Sequence, residues 1–238
     1  MSETAPPPAN SAPADIEVPM ADVVRFIRQL SHDLRNHLNA AELQSAYLKE
    51  IVEDAEAKGE IQRLRSMVSE LGAALQKLTT LMAPVKLTQM PYEAGAFIED
   101  LQQKVTQQFP EAANAFEWSA VGLAGTFEID PQLLQQAMLE LFANALLHGR
   151  GTGNIHVAAE VAGHDFRFAM REPKATFEAL TANWGREPFK RVKHGHYGLG
   201  LARARSIIEA HGGNLTARFE PDASALVTEV SLPMTHAS

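Results

Sequence analysis

The sequence predicts an α+β protein with an N-terminal antiparallel helical hairpin and a C-terminal two-layer α/β sandwich. Two observations support this division. Before Pro84, apolar residues recur at spacings of three and four, as in helices that pack along a seam. After Pro84, helix-like and strand-like segments follow one another, which indicates helices packed on one face of a sheet. We predict a tail over residues 1–20, a hairpin over residues 21–84 and a sandwich over residues 85–238.

Composition limits the classes of function. The chain of 238 residues has 45% hydrophobic residues, enough for a core, and it has no cysteine, which excludes disulfides and thiolate metal sites. Its net charge of -8 argues against a nucleic-acid partner, because phosphate backbones are bound mainly by clustered Lys and Arg. The Pro-rich tail is expected to be flexible. With no long apolar run and no secretory signal pattern, we expect a cytoplasmic protein without membrane insertion.

Two long segments have the periodicity of helices that pack against other helices. The first covers residues 21–53, the second ends before Pro84, and the acidic stretch 53–60 is interpreted as the turn between them. The seam residues are Val23, Ile27, Leu30, Leu34, Leu38, Ala41, Leu48 and Val52, then Ile61, Leu64, Val68, Leu71, Leu75, Leu78 and Met82. One hairpin leaves apolar surface uncovered, so we predict a homodimer that forms a four-helix bundle. The alternative is a monomeric hairpin packed on the rest of the chain.

The first helix carries adjacent His32 and Asp33, followed one turn later by Asn36. His32 lies two residues from both Leu30 and Leu34, so its ring should point away from the seam. A neutral imidazole is a nucleophile near neutral pH, and a neighbouring carboxylate can orient it and accept its proton. An amide one turn away could position a water for hydrolysis. The pattern suits phosphoryl transfer through histidine; the alternative is an exposed His-Asp pair with no chemical role.

The region after Pro84 alternates between helices and strands. Helices are predicted over residues 94–109, 131–149 and 198–211, and strands over residues 116–121, 125–129, 155–161, 166–170, 215–219 and 225–232. Asp130 is expected to cap the second of these helices, with Pro131 at its first position. Residues 171–197 have little periodicity and are predicted to form a long loop, of a length that is usually functional or mobile.

A second candidate site lies on the helix that follows Pro131. Glu140, Asn144 and His148 recur every four residues and share one face, where they could hold a hydrated Mg²⁺ and phosphates, or form an ordinary solvent face. Residues 198–201, Gly-Leu-Gly-Leu, come just before another helix, whose N-terminal N–H groups favour an anion.

Together these stretches resemble bacterial two-component sensor histidine kinases. Residues 31–39 are similar to the phosphoacceptor box, residues 139–148 to the N box, and residues 198–202 with 207–213 to the second glycine box and the helix behind it. Phe189 stands where the family has a phenylalanine in the ATP lid. The order and spacing also agree, so the resemblance covers nearly everything from residue 22 to residue 233.

The resemblance implies a sandwich of the GHKL ATPase type, with ATP and Mg²⁺ as cofactors. It implies that His32 is phosphorylated from ATP, that Asp33 accepts its proton, and that Asn36 supports dephosphorylation of a partner. It also assigns roles to the second site. Asn144 would bind Mg²⁺, Glu140 and His148 would help hold metal, water or phosphates, and Gly198, Leu199 and Gly200 would approach the triphosphate.

The sequence departs from the family at its first glycine box, Asp-x-Gly-x-Gly, whose Asp binds the adenine amino group. The corresponding residues 171–177 read Arg-Glu-Pro-Lys-Ala-Thr-Phe. Glu172 would replace the Asp with a longer reach, and both glycines are gone. This change weakens the expectation of tight ATP binding but leaves the phosphoacceptor intact.

Two functions therefore remain open, besides a plain coiled-coil scaffold, which would need neither box. The first is a kinase that autophosphorylates His32 from ATP and passes the phosphoryl group to an aspartate of a response regulator receiver domain. The second is a degenerate kinase that acts as a histidine phosphotransfer, phosphatase or regulator-binding module. In either case the input could come from a separate sensor protein.

Overall fold

The computed structural model describes residues 19–147, 151–177, 184–186, 188 and 198–235. The chain divides into two compact units, Met1–Thr79 and Thr80–Ser238. None of the described helices combines the length and the apolar character needed to span a lipid bilayer.

The first unit contains most of an antiparallel pair of helices, α1 (Met20–Ile51) and α2 (Ala55–Leu81). Polar side chains connect the two helices along their length, and residues further along α1 meet residues earlier in α2. The bonds are Arg35 to Gln76, Arg65 to Glu42 at 2.9 Å, and Lys49 Nζ to Gln62 at 2.7 Å. The predicted helical hairpin is therefore present.

The turn between the two helices is shorter than predicted. It comprises only residues 52–54, whereas the sequence suggested residues 53–60. Asp54 Oδ1 accepts a hydrogen bond of 2.8 Å from the Ala57 N–H, which is the geometry of a helix N-cap. This cap begins α2 at Ala55, so Gly59 lies inside the helix instead of in the turn.

The second unit is built on a five-stranded sheet with the strand order β2-β4-β5-β7-β6. Its pairs are antiparallel except for β2 with β4, and a separate two-stranded sheet joins β1 to β3. The elements are β1 (Met90–Glu93), α3 (Ala94–Gln108), a 3-10 helix (Pro110–Ala115), β2 (Phe116–Val121), β3 (Thr126–Ile129), α4 (Pro131–Leu147), β4 (Ile155–Ala162), β5 (Asp165–Pro173), α5 (Gly200–Ala210), β6 (Asn214–Glu220) and β7 (Ala225–Pro233).

The core lies between one face of this sheet and the helices. Alternate residues of β4 and β5, including Val157, Phe166 and Phe168, are buried, while their neighbours are exposed or partly exposed. Phe142 of α4 meets Phe168 with a ring-centroid distance of 6.1 Å. The predicted two-layer sandwich with helices on one face is confirmed.

The long loop begins later than predicted. The sequence placed its start at Arg171, but β5 continues to Pro173, because Arg171, Glu172 and Pro173 pair with Val227, Leu226 and Ala225 of β7. The short strand β1 was not predicted at all. It has only four residues and includes Pro91, which weakens the strand pattern.

Asp130 fastens the start of α4. Its Oδ1 accepts a 3.0 Å hydrogen bond from the Leu133 N–H and its Oδ2 a 2.9 Å bond from the Thr88 N–H. The Asp130 N–H donates to Nε2 of buried His211 at 2.9 Å, and His211 Nδ1 donates to the Ile207 carbonyl at 2.8 Å. The predicted cap is thus present, and it also connects α4 to the end of α5.

This cap predicts an acid-dependent part of the stability. Burial raises the pKa of Asp130, but the Leu133 and Thr88 hydrogen bonds outweigh burial and leave that pKa below its usual value. The carboxylate should therefore stabilise the fold above about pH 4, and this contribution should be lost as the pH falls through the folded-state pKa. We expect Asp130→Ala to lower the free energy of unfolding at pH 7 by roughly 1–2 kcal/mol in urea titrations.

The same titrations, repeated between about pH 5 and pH 3, should show a flatter pH dependence for Asp130→Ala than for the wild type. Asp130→Asn is the matched control, since it keeps an acceptor for α4 but carries no charge; it should lose less stability at neutral pH. If the free energy of unfolding of Asp130→Ala had the same pH dependence as that of the wild type, the stabilising role given to the Asp130 carboxylate would be contradicted.

Candidate functional site

The helix α1 displays His32 to solvent. The His32 side chain is 70% exposed, whereas the preceding Ser31 is buried. Successive helical residues point about 100° apart, so the burial of Ser31 turns the next residue outward. The ring therefore lies on the open side of the helix, as the spacing of the seam predicts.

Asp33 orients the His32 ring. The two side chains approach at 3.2 Å between Nδ1 and Oδ1, and Gln29 Nε2 donates a second hydrogen bond of 3.0 Å to the same carboxylate oxygen. The bonds from His32 and Gln29 lower the pKa of Asp33 below its ordinary value. An ionised Asp33 favours the proton on Nδ1, which leaves the Nε2 lone pair for attack on an electrophile.

Asn36 lies one helical turn beyond His32, and its side chain is exposed. Along one stretch of α1 the chain thus presents a nucleophile, a carboxylate that orients it, and an amide. Such a set can accept a phosphoryl group on nitrogen, and an amide can hold a water near a docked phosphate.

In the second unit, the structure brings α4 and the start of α5 together. Glu140 and Asn144 are both partly buried and lie one turn apart on α4. The Glu140 carboxylate lies directly against Gly200, where an added Cβ would overlap it. A side chain at residue 200 would displace the Glu140 carboxylate, so the N-box helix and the glycine-rich segment meet at this point as the resemblance implies.

The glycine-rich segment enters α5 through a left-handed residue. Gly198 has a φ of 66°, which is costly for other residues, and Leu199 is buried next to it. The first N–H groups of α5 then face away from the helix body and favour a negative charge. His148, together with Phe189 in the lid, lies outside the described residues.

Glu172 is in a setting that the sequence did not reveal. It lies at the end of β5 on the inner face of the sheet, in register with Leu226 and, one strand further, Phe219. Its residue is only 2% exposed, and Lys174, 7% exposed, donates from Nζ to Glu172 Oε1 at 2.7 Å. The carboxylate that would meet an adenine is therefore held by a buried ammonium group.

Aromatic side chains cover this ion pair. Lys174 Nζ lies 5.5 Å from the centre of the Phe177 ring, a cation–π arrangement. Phe177 packs in turn against Trp184 and Phe219, with centroid distances of 5.4 and 6.1 Å. Sequence analysis missed Lys174, Phe177 and Trp184. The available signal was the two-residue spacing of Glu172 and Lys174, which puts both side chains on one face of an extended segment.

The residues of the second unit fit one end of ATP, the cofactor that the resemblance implies, and not the other. Asn144 and the N–H groups at the start of α5 fit phosphate groups in charge, whereas the Glu140 carboxylate would contact them only through a cation or water. The described residues contain no cluster of three His, Asp or Glu that could hold a metal, so Mg²⁺ at Asn144 would depend on phosphate oxygens. The base end does not fit adenine, because the Glu172 carboxylate is buried and already neutralised by the buried ammonium group of Lys174.

Comparison with known proteins matches part of the second unit to a family model and shows relatives of the chain. Residues 129–236 match the family model of the histidine kinase-, DNA gyrase B-, and HSP90-like ATPases. The sensor histidine kinase ZraS of Klebsiella oxytoca is 28% identical over 208 residues, which are 84% of this chain and 44% of ZraS. The signal transduction histidine-protein kinase AfsQ2 of Streptomyces coelicolor is 27% identical over 248 residues, covering 92% of this chain and 45% of AfsQ2.

Solved structures agree in fold. Full-length ShkA in complex with AMPPNP aligns with a TM-score of 0.66 and 22% identity, covering 90% of this chain and 46% of ShkA. ThkA in complex with the response regulator TrrA aligns with a TM-score of 0.57 and 18% identity, covering 91% of this chain and 63% of the ThkA chain. Residues 129–236 thus have the ATPase fold of this class. The chain is similar to sensor histidine kinases over most of its length, and it spans less than half the length of ZraS and AfsQ2.

The buried ion pair predicts a stability effect. Lys174→Met leaves the Glu172 carboxylate buried without its ammonium partner, and we expect it to lower the free energy of unfolding by roughly 3–5 kcal/mol. Urea titration followed by tryptophan fluorescence measures this loss. The double variant Glu172→Gln/Lys174→Met removes both charges and should recover most of it. A loss below about 1 kcal/mol in the single variant, typical of exposed pairs, would contradict the burial of the pair.

Proposed function

We propose that this protein is a phosphocarrier of a two-component pathway, in which His32 accepts a phosphoryl group and passes it to an aspartate of a response regulator receiver domain. The observation that carries the proposal is the exposed His32 ring held by Asp33 at 3.2 Å. The match to histidine kinases supports it, and ThkA, a protein of similar fold, is known in complex with a response regulator.

The chemistry follows from the assigned tautomer. The Nε2 lone pair of His32 attacks phosphorus, and positive charge develops on the ring. The Nδ1–H group then becomes more acidic and is stabilised by the ionised Asp33, which can take its proton. The same steps in reverse transfer the phosphoryl group from His32 to a carboxylate. Asn36, one turn away, is proposed to place the water that hydrolyses a phosphorylated partner.

We also propose that the protein acts as a homodimer through residues 21–84. Large apolar side chains of both helices are exposed in the unit taken by itself, namely Phe26, Leu30, Leu34, Leu43, Tyr47, Ile51, Leu64, Met67 and Leu71. Contiguous apolar surface of this kind usually marks an interface. A second hairpin would cover it as a four-helix bundle.

A second candidate function is ATP-dependent autophosphorylation of His32 by residues 85–238. The close approach of Glu140 and Gly200 favours it, since it leaves the start of α5 and Asn144 positioned for phosphates and Mg²⁺. The family match and the AMPPNP complex of ShkA are consistent with it.

The phosphocarrier proposal predicts a labelling experiment. The full chain is incubated with γ-labelled ATP, or with the receiver domains encoded in the same genome after each is phosphorylated with radiolabelled acetyl phosphate. At least one donor should give acid-labile label on the wild type and none on His32→Ala. Asp33→Asn should slow labelling by roughly 10²-fold, because it cannot take the proton.

His37→Ala is the matched control, as His37 is an exposed histidine on the same helix and should be dispensable. Equal label on His32→Ala and the wild type would sink the proposal.

The dimer proposal predicts a change in mass. Leu30→Glu/Leu34→Glu places two charges on the exposed apolar face, where they would be buried in a bundle, so the variant should be monomeric by light scattering at micromolar concentration. Gln44→Glu, at an exposed polar position of α1, should stay dimeric. A monomeric wild type, or a dimeric leucine variant, would contradict the bundle.

A further inference from the structure

We infer that the second unit excludes adenine nucleotides through the Glu172–Lys174 ion pair, and that His32 receives its phosphoryl group from the aspartyl phosphate of a partner protein. The inference rests on the proposed phosphocarrier role of His32 and names its donor.

The first step of the argument concerns the base-recognition position. An exocyclic amino group of adenine needs an acceptor, and the corresponding carboxylate here accepts from Lys174 Nζ at 2.7 Å inside the fold. Losing a hydrogen bond to a carboxylate weakens binding by roughly tenfold to a hundredfold. To make that bond, a ligand's amino group would have to reach a residue that is 2% exposed, beside a buried ammonium group that already neutralises the carboxylate.

The second step concerns the backbone. A glycine-rich box lets the main chain approach a nucleotide, but here the main chain is already hydrogen-bonded within the unit. The Pro173 carbonyl accepts from the Gly151 N–H at 2.7 Å, and the Lys174 N–H donates to the Ser224 carbonyl at 2.7 Å. Pro173 itself pairs in register with Ala225. The segment is therefore fixed as the end of a strand, and it carries a lysine side chain where the family's first glycine stands.

The third step concerns what replaces the base. The Lys174 stem and the Phe177, Trp184 and Phe219 rings form a packed aromatic and cationic cluster above Glu172. Trp184 is buried in the core of the unit. The chain's own side chains thus supply aromatic packing near Glu172 and the donor that its carboxylate would otherwise take from a base.

A phosphoacceptor that lacks a nucleotide donor needs another activated phosphoryl group. An aspartyl phosphate, an acyl phosphate on a receiver domain, has the required reactivity. The His32 Nε2–P bond forms as the bond between phosphorus and the aspartyl oxygen breaks, and the donor leaves as a carboxylate. The Nδ1 proton passes to Asp33 and then to water. The step therefore balances without a further co-reactant.

The closing experiment compares donors and measures binding directly. Titration of the full wild-type chain with ADP and with AMPPNP plus Mg²⁺ in a calorimeter should give no saturable heat up to about 1 mM nucleotide. Labelled receiver domains should phosphorylate His32, and γ-labelled ATP should not. The variant Glu172→Asp/Lys174→Gly, which releases the carboxylate and restores the first glycine, should gain at least about tenfold in nucleotide affinity.

Each outcome decides a different claim. Saturable nucleotide binding by the wild type, or label from ATP on His32, would overturn the inference while leaving His32 a phosphocarrier. A folded double variant that still binds no nucleotide would overturn the role given to the ion pair. If no donor labels His32, the proposed function itself fails.

Discussion

The packing of α4 and α5 on one face of the sheet is the interaction on which the second unit depends. Their buried residues, such as Phe142 and Ile207, lie in one core cluster with Phe168 of β5, and each stabilises the fold by roughly 25 cal/mol per Å² of apolar surface removed from water. The two helices run antiparallel, since Asp130 before α4 meets His211 after α5. This direction brings the first residue of α5, Gly200, against the middle of α4 at Glu140. The candidate phosphate end is therefore a consequence of helix packing together with the left-handed Gly198 before α5.

The candidate base end at Glu172 depends on strand pairing instead of helix packing. Glu172 is placed by its register with Leu226, and that register also puts Pro173 opposite Ala225. Once β5 continues this far, the next inward-facing side chain is Lys174, which is buried and has Glu172 as its counter-charge. A buried lysine requires such a partner, so the ion pair and the strand extension stabilise each other. The phosphate end is thus positioned by helix packing and the base end by strand pairing, so one can change while the other stays intact.

Local patterns predicted the elements that local interactions determine. Asp130-Pro131 marked the start of α4, and the alternation of buried residues marked β4, because a helix cap and a strand face involve neighbours in sequence. Glu172 was identified as a candidate adenine ligand, but its partner was not, because Pro173 weakened the strand pattern. Pro173 and Ala225, which pair in the sheet, are distant in sequence, and the periodicity of neither segment predicts this pairing. The exposure of His32 was predictable because it depends only on the seam of α1.

The geometry at His32 depends on neighbours within one helix, whereas the position of Lys174 depends on the pairing of strands that are distant in sequence. Gln29, His32 and Asp33 lie within about one turn of a single helix, so their hydrogen bonds persist wherever α1 is helical. Nothing at the end of β5 is needed to hold them. A change in the sheet can therefore remove nucleotide recognition without altering the nucleophile. For the proposed phosphocarrier, the direction of phosphate flow would be set by the relative phosphorylation of its partners, because the same steps run in reverse would return the phosphoryl group from the imidazole to another carboxylate.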